Sequence, residues 1–225
     1  MNFYEYHVHP EVDLGGMLTN LRKLGWSGVC FVCRSLEEIR ELKKKLEKTD
    51  LDIAFGYKIE TDKPNNVPKI AKKIRKRVEL IIVSGGEPEI NRKACETREV
   101  DILTHPEAGE TQGLDHVMAK LAKENRVSIE FNFRNLLISY KRSRSGVFSR
   151  MLENAKLVKK FKAPFILSSG AIEPHELRSP SEIISFGKVL KLNPKRIKES
   201  LSGEILEENR KRLGKKWVMP GVEIE

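Results

Sequence analysis

The feature that most constrains the fold is a regular alternation of short apolar segments with longer amphipathic ones. The apolar segments predict seven strands, at 3–9, 27–33, 51–60, 79–84, 100–104, 127–133 and 165–169. The segments between them have helical periodicity, and in 36–48 the apolar residues recur on one helix face. Strands that alternate with helices form a parallel sheet joined by crossover helices. The predicted fold class is therefore α/β.

The length of 225 residues is compatible with one closed barrel. No linker rich in serine, glycine or proline divides the chain, and no internal repeat is evident. We therefore predict a single TIM-barrel-like (β/α) domain with about seven parallel strands over residues 1–213, followed by a C-terminal tail at 214–225. An open doubly wound sheet is the alternative. A Gly-x-Gly-x-x-Gly motif does not follow the first strand, which argues against a dinucleotide site.

The charge is distributed unevenly along the chain. Residues 1–125 hold 21 basic and 21 acidic residues, whereas residues 126–225 hold 21 basic and 11 acidic ones, so the last hundred residues carry the whole net charge of +10. The densest part, 134–162, has nine basic residues and one acid. Basic runs are often merely solvated helix faces, but a one-sided positive field favours a polyanionic partner such as RNA.

Two further features of the sequence limit where the chain acts. It has no apolar run of about 18 residues, so neither a membrane-spanning helix nor a membrane partner is expected. The beginning of the sequence also lacks the layout of a signal peptide. Only three cysteines occur, which makes a disulfide framework unlikely and predicts a cytoplasmic location. The pair Cys30 and Cys33 lies within a strand, where the two side chains face opposite sides, so we assign both to the core.

A histidine pair ends the first predicted strand. His7 and His9 are two positions apart, so both imidazoles face the same side and are able to meet one metal ion. His105 follows the fifth strand, and barrels place their sites at this carboxyl-terminal end of the strands. The simpler interpretation is a set of hydrogen-bonded polar residues at strand ends. Other polar residues at or just past strand ends are Glu60, Glu130 and His175.

The best nucleic-acid candidate is the stretch from Phe133 to Gly146, between a strand and a helix predicted to begin at residue 145. Its guanidinium groups are suited to bidentate phosphate contacts, and Tyr140 is suited to stacking on a base. A solubilising loop is the alternative. The predicted RNA-binding residues are Arg134, Lys141, Arg142, Arg144 and Arg178, and a second set consists of Arg92 and Arg98.

Several motifs together resemble one known family. They are YHVHP at 6–10, GVC at 28–30, DIL at 101–103 with His105-Pro106, IEFNFR at 129–134, RSR at 142–144, SSGA at 168–171 and RSP at 178–180. They resemble the archaeal ribonuclease P protein component 3 family, the counterpart of the eukaryotic 30 kDa subunit, over nearly the whole chain. The resemblance implies a TIM-barrel-like fold related to the polymerase-and-histidinol-phosphatase (PHP) phosphoesterases.

The resemblance also implies a function. Members of this family are non-catalytic protein subunits of ribonuclease P, which removes the 5′ leader of precursor tRNA, and the RNA performs the cleavage with Mg²⁺. The implied partners are the ribonuclease P RNA, component 2 in a heterotetramer, the other ribonuclease P proteins and, indirectly, precursor tRNA. No cofactor of the protein itself and no catalytic residue are expected. Helix positions Phe148, Met151 and Leu152 are candidates for the component 2 interface, although a core-facing stripe explains them equally well.

The alternative function is a metal-dependent phosphoesterase of the PHP type that uses His7, His9 and His105. Three departures from the PHP motifs argue against it. Cys33-Arg34-Ser35 replaces a Thr-Asp-His-like motif, Lys58 replaces a bridging carboxylate, and Ser169-Gly170-Ala171-Ile172 replaces Ser-Asp-x-His. A multi-metal site needs anionic ligands to offset its charge, so the resemblance implies a remnant site that holds no required metal. One weakly bound zinc ion on the three histidines is the alternative.

Overall fold

The sheet forms the centre of the molecule. The computed structural model describes residues 2–46, 49–109 and 113–214, and the backbone of 217–219 and 222–223. Seven strands pair in chain order, each parallel to the next. They are β1 Tyr4–Val8, β2 Gly28–Cys33, β3 Asp52–Ile59, β4 Leu80–Ser84, β5 Ile102–Thr104, β6 Ser128–Asn132 and β7 Phe165–Ser168. Each lies within or very close to its predicted segment.

Helices connect the strands and pack outside the sheet. Asp13 caps α1 by accepting a hydrogen bond from the Gly16 N–H, and the side chains of Ser35 and Asp115 cap α2 and α5 in the same way. The helices are α1 Leu14–Leu24, α2 Leu36–Lys45, α3 Asn66–Ile74, α4 Pro88–Glu96, α5 His116–Asn125, α6 Arg134–Ile138, α7 Lys141–Phe161, α8 Pro180–Val189, α9 Pro194–Glu199 and α10 Glu204–Leu213.

The two end strands of the sheet, β1 and β7, approach each other and nearly close a barrel. At the carboxyl-terminal end of the strands, the His9 N–H donates to the Ala171 carbonyl at 2.8 Å. Deeper in this seam the Ser169 N–H donates to the Glu5 carboxylate, at 3.0 and 3.2 Å from its two oxygens. These contacts confirm the TIM-barrel-like fold over the open doubly wound sheet.

Apolar residues form two separate clusters, one inside the barrel and one between sheet and helices. The inner cluster is filled by one side chain or more from each strand except β6, together with Leu206 of α10. The outer cluster is larger and joins the outward faces of the strands to the helices. Cys30 belongs to the inner cluster and Cys33 to the outer one, so the two thiols lie on opposite faces as predicted. All three cysteines are free and buried.

Helix α10 closes the amino-terminal end of the barrel. The Arg210 guanidinium donates to both oxygens of Asp52, each at 2.8 Å, and to Glu79 at 2.9 Å. Asn209 donates to Asp101 at 2.9 Å. The chain therefore contributes to the barrel as far as residue 213. Within the predicted tail, β8 Trp217–Met219 pairs antiparallel with β9 Val222–Glu223.

Helix α7 begins earlier than predicted. It begins at Lys141 rather than at residue 145, so the basic segment 141–144 is the first turn of the helix and not a loop. Long unbranched side chains favour helix, and Arg144 donates back to the carbonyls of Ser139 and Leu137, which stabilises this turn. Further along α7, Met151 is fully buried in the outer cluster, and Phe148 and Leu152 pack against it. Among the described residues, no helix is long and apolar enough to cross a membrane.

Candidate functional site

Three histidines meet at the carboxyl-terminal end of the strands, which we call the mouth of the barrel. The ring centroid of His7 lies 4.9 Å from that of His9 and 6.0 Å from that of His105. His7 and His9 are both buried. The strand register between β1 and β2 is irregular between Glu5 and Val8, close to the histidine pair. The structure thus brings together the three histidines that the sequence selected.

Glu130 of β6 holds the innermost histidine. The Nδ1 atom of His7 lies 2.9 and 3.1 Å from the two carboxylate oxygens, and Ser168 donates a 2.5 Å hydrogen bond to Oε1. Burial alone raises the pKa of Glu130, but the charge and hydrogen bond of His7 outweigh it and hold that pKa well below its usual value. Glu130 is therefore an ionised, fully buried carboxylate whose oxygens are occupied by protein donors.

His105 is fixed by an amide. The side-chain nitrogen of Asn135 lies 2.9 Å from the His105 Nδ1 atom and 2.6 Å from Glu107, so the amide must turn its NH₂ group toward both. Nδ1 is then the acceptor, and the proton of the neutral ring is on Nε2. Burial lowers the pKa of His105 to about 4 and that of His9 to about 3. Both rings are therefore neutral at physiological pH.

The mouth does not provide the ligands that a catalytic metal needs. Within the described part of the chain, no three His, Cys, Asp or Glu side chains are arranged to hold an ion. Glu130 is engaged by His7 and Ser168 instead. Lys58 projects into the same cavity as His9 and His105, and its ammonium repels a cation. The donor set therefore does not fit a metal centre of the PHP type, and we derive no catalytic step through one.

Ion pairs surround the mouth. Lys58 lies 2.7 Å from Glu60, which is also 4.0 Å from Arg34, and Arg134 bonds Glu176 at 2.9 Å. Glu60 thus lies at the mouth as its position predicted. His175 is largely exposed, pairs with Glu173, and is not among the residues that line the mouth cavity.

Sequence reasoning missed two buried carboxyl groups near the mouth. Burial raises the pKa of Glu5 to about 8, against the opposing effect of its hydrogen bonds from Ser169, and raises the pKa of Glu107 to about 7. Glu5 had a visible signal, since an acidic residue inside an otherwise buried strand is unusual. Glu107 had none, because its partner Asn135 is distant in sequence.

The predicted RNA-binding residues separate into an exposed group and a supported group. The exposed group, which we call the basic elbow, joins α6 to α7 and consists of Tyr140, Lys141, Arg142 and Arg144. The Tyr140 ring is 69% exposed and the Lys141 ammonium lies 5.1 Å from its centroid. Arg144 has the backbone contacts described above. Arg142 is exposed and forms no ion pair with any described residue.

The other four predicted cations have protein partners or lie elsewhere. Arg134 pairs with Glu176 at the mouth, and the Arg178 guanidinium packs over the Phe133 ring at 5.5 Å while donating to the carbonyls of His175 and Leu177. Arg92 pairs with Glu96 along α4. Arg98 lies exposed in the turn before β5, at the opposite end of the barrel from the mouth.

Fold and site define a class: a TIM-barrel-like α/β protein with a histidine-lined mouth, a poor metal-ligand set and a separate exposed basic surface. The chain belongs to the family of the RNase P subunit p30, whose model matches residues 2–213. A ribonuclease P protein component 3 from Methanococcus maripaludis is 35% identical over 97% of both chains. The protein of the same description from Methanocaldococcus jannaschii is 36% identical over 74% of both.

Solved structures agree with this assignment. A chain in the cryo-EM structure of archaeal ribonuclease P with mature tRNA superposes with a TM-score of 0.86, at 30% identity over 97% of both chains. The protein is accordingly a ribonuclease P subunit. A histidinol phosphate phosphatase from Lactococcus lactis, complexed with zinc, L-histidinol and phosphate, gives a TM-score of 0.54 at 13% identity, over 84% of this chain and 93% of that one. This second likeness is one of fold alone.

Proposed function

We propose that the chain acts in ribonuclease P as a non-catalytic subunit that binds the ribonuclease P RNA and supports removal of the 5′ leader from precursor tRNA. In this account Mg²⁺ held by the RNA performs the hydrolysis, the protein needs no cofactor of its own, and precursor tRNA is contacted only indirectly. The complex works in the cytoplasm. The observation that carries the proposal is the basic elbow, which presents uncompensated positive charge beside a mouth that lacks a metal-ligand cluster among the described residues.

The elbow is suited to RNA for two reasons. Lys141, Arg142 and Arg144 are exposed on the first turn of α7, where the positive end of the helix dipole adds to their field. Phosphate contacts of this kind provide most of the affinity of a sequence-independent nucleic-acid interface. The exposed Tyr140 ring adds an apolar face, and aromatic side chains stack on unpaired bases of single-stranded RNA.

Removal of one elbow cation tests the proposal. We expect Arg142→Ala in the reconstituted holoenzyme to flatten the dependence of log Kd for RNA on log salt concentration by about one unit, because one phosphate contact is lost. Arg142 is the best position to change, because Arg144 also stabilises the elbow itself through its bond to the Ser139 carbonyl. The matched control is Arg40→Ala, an exposed arginine on α2 in the neutral part of the chain. Equal salt slopes for Arg142→Ala, Arg40→Ala and wild type would reject the elbow as an RNA contact.

Arg98 distinguishes the two predicted sets of cations. Because Arg98 lies at the end of the barrel opposite the mouth, a single RNA surface centred on the elbow leaves it free of RNA. The same salt titration on Arg98→Ala therefore reports whether the second set, Arg92 and Arg98, takes part. A slope as flat as that of Arg142→Ala would require an RNA surface that extends around α4.

The protein partner is component 2. We propose a heterotetramer of two copies of each protein, in line with the family. Ile138, close to the elbow, is a large apolar side chain that the single chain leaves exposed. The buried position of Met151 removes it as an interface candidate. Light scattering on the mixed purified proteins tests the stoichiometry, and a mass equal to the sum of one copy of each would contradict it.

A further inference from the structure

A small polar cavity opens at the mouth of the barrel. Its volume is about 230 Å³, and it is lined by His9, Arg34, Lys58, His105, Asn132, Arg134, Asn135, Ile138, Gly170 and Ile172. Each formally charged residue in this lining is a cation. Among the described residues, the carboxylates of Glu60 and Glu176 pair with its cations, and that of Glu130 pairs with His7. A ligand that enters the cavity therefore meets hydrogen-bond donors and positive charge.

The donors of the cavity are fixed by contacts on their far sides. Asn135 occupies Nδ1 of His105, which leaves the protonated Nε2 as the free side of the ring. Arg134 uses Nε for Glu176, so its two terminal nitrogens keep their hydrogens for another partner. Lys58 uses one of its three hydrogens for Glu60. Donors held in place in this way bind an oxyanion with little loss of side-chain entropy.

Among the described residues, the cations of the lining outnumber the carboxylates that pair with them. Glu60 forms ion pairs with Lys58, at 2.7 Å, and with the more distant Arg34, at 4.0 Å. Glu176 forms an ion pair with Arg134. Three cations thus share two carboxylates. The Lys58 side chain is only 9% exposed, and an ammonium in such a position is costly unless it is fully paired.

We propose that the mouth cavity binds one phosphate-sized oxyanion through Lys58, Arg34 and Arg134, with His105 as an additional donor. The cavity volume of about 230 Å³ suits one tetrahedral oxyanion and some hydration. Pockets for larger organic ligands begin at about 300 Å³. The ligand is therefore inorganic phosphate or a terminal phosphate that projects from a nucleotide or an RNA end. The cations that attract it repel a metal ion from the same place.

This site is separate from the basic elbow. The inference goes beyond the proposed function and does not depend on it, since Arg142 does not line the cavity and Lys58 lies outside the elbow. Failure of the Arg142→Ala experiment leaves the cavity untouched. Failure of phosphate binding likewise leaves the elbow account in place.

Titration of the full-length chain with inorganic phosphate, followed by ³¹P NMR or calorimetry at constant ionic strength, tests the inference. We expect saturable 1:1 binding that weakens about tenfold, or about 1.4 kcal/mol, in Lys58→Met. Arg34→Gln, on the exposed rim, should weaken it as well and guards against misfolding of the more buried variant. Lys45→Met, which changes an exposed lysine in the last turn of α2 that is not part of the cavity lining, is the control and should bind as wild type does.

Three outcomes would overturn the inference: absence of saturable binding, equal binding by wild type and both cavity variants, or displacement of phosphate by Zn²⁺ bound at the histidines. The source of the phosphate follows from parallel titrations with a nucleoside 5′-monophosphate and with short RNAs that end in a 5′-phosphate or a 5′-hydroxyl. Tighter binding of inorganic phosphate supports a free ion as the ligand. Tighter binding of the phosphorylated RNA supports an RNA end.

Discussion

Replacement of Arg75 by methionine is expected to lower the free energy of unfolding by about 3 to 5 kcal/mol, because it leaves a buried carboxylate without its cation. Arg75 is buried at the amino-terminal end of the barrel and lies 2.5 Å from Asp101. It also donates to the carbonyls of Glu99, Val78 and Glu79. One side chain thus ties the end of α3 to the segments that lead into β4 and β5.

Urea unfolding of the purified chain measures this loss of free energy. In thermal unfolding we expect the melting temperature to fall by about 10 °C. The matched control is Arg77→Met, which removes an exposed arginine two residues further along. Asp101→Leu added to Arg75→Met should recover part of the loss by removing the unpaired charge. Recovery is incomplete because Asp101 also accepts hydrogen bonds from the Ile81 N–H and from Asn209 of α10. If Arg75→Met lowers the free energy of unfolding by less than about 1 kcal/mol, the ion pair with Asp101 does not stabilise the fold as proposed.

The second large effect is a loss of stability as the pH rises, caused by Glu5 at the seam of the barrel. Burial raises the pKa of Glu5 to about 8 in the folded chain, from an ordinary value of 4.5. Between these values the unfolded chain ionises at this position while the folded chain stays protonated. The unfolded state therefore binds fewer protons, and stability falls with increasing pH by up to about 1.4 kcal/mol per unit.

His9 and His105 act in the opposite direction. Their folded pKa values, about 3 and about 4, lie below the ordinary value of 6.5, so they lower stability as the pH falls through 6.5. The comparison of wild type with Glu5→Gln cancels these histidine effects. Relative to wild type, Glu5→Gln should gain about 3 kcal/mol between pH 5 and pH 8 in urea unfolding. Parallel stability curves for the two proteins over this range would show that Glu5 titrates normally.

The fold was predictable from local pattern. Seven apolar segments at regular spacing predicted the seven strands, because this signal depends on near neighbours in the chain. The start of α7 was not predictable. The residues at 141–144 carry no capping signal, and the bonds from Arg144 to Ser139 and Leu137 become visible only in three dimensions.

Those parts of the site that depend on the order and direction of the strands were predictable. Those that depend on packing between distant side chains were not. His7, His9 and His105 follow strand ends, and parallel strands bring such positions to one mouth. The presence of Lys58 at the mouth followed from comparison with the PHP motifs. The seam carboxyl Glu5, the amide that sets the His105 tautomer and the pairing of Arg134 with Glu176 depend on long-range contacts, and no spacing rule reports those.

We propose different functions for the mouth of the barrel and for the basic elbow. The mouth combines histidines with three cations, which is the chemistry of the anion pocket that we propose. The basic elbow on α7 offers exposed positive charge and an exposed aromatic ring. A subunit that holds RNA by its phosphates needs the second feature and has no use for a catalytic metal.

The central claim is that this chain supports a reaction that the RNA performs. The most direct test incubates precursor tRNA with the purified chain alone, with Mg²⁺, Mn²⁺ or Zn²⁺, and in parallel with the holoenzyme reconstituted from wild type or from His9→Gln. We predict no cleavage by the chain alone, and 5′-leader removal by the holoenzyme at the same rate with either version of the chain. Metal-dependent cleavage by the chain alone that His9→Gln abolishes would contradict the account.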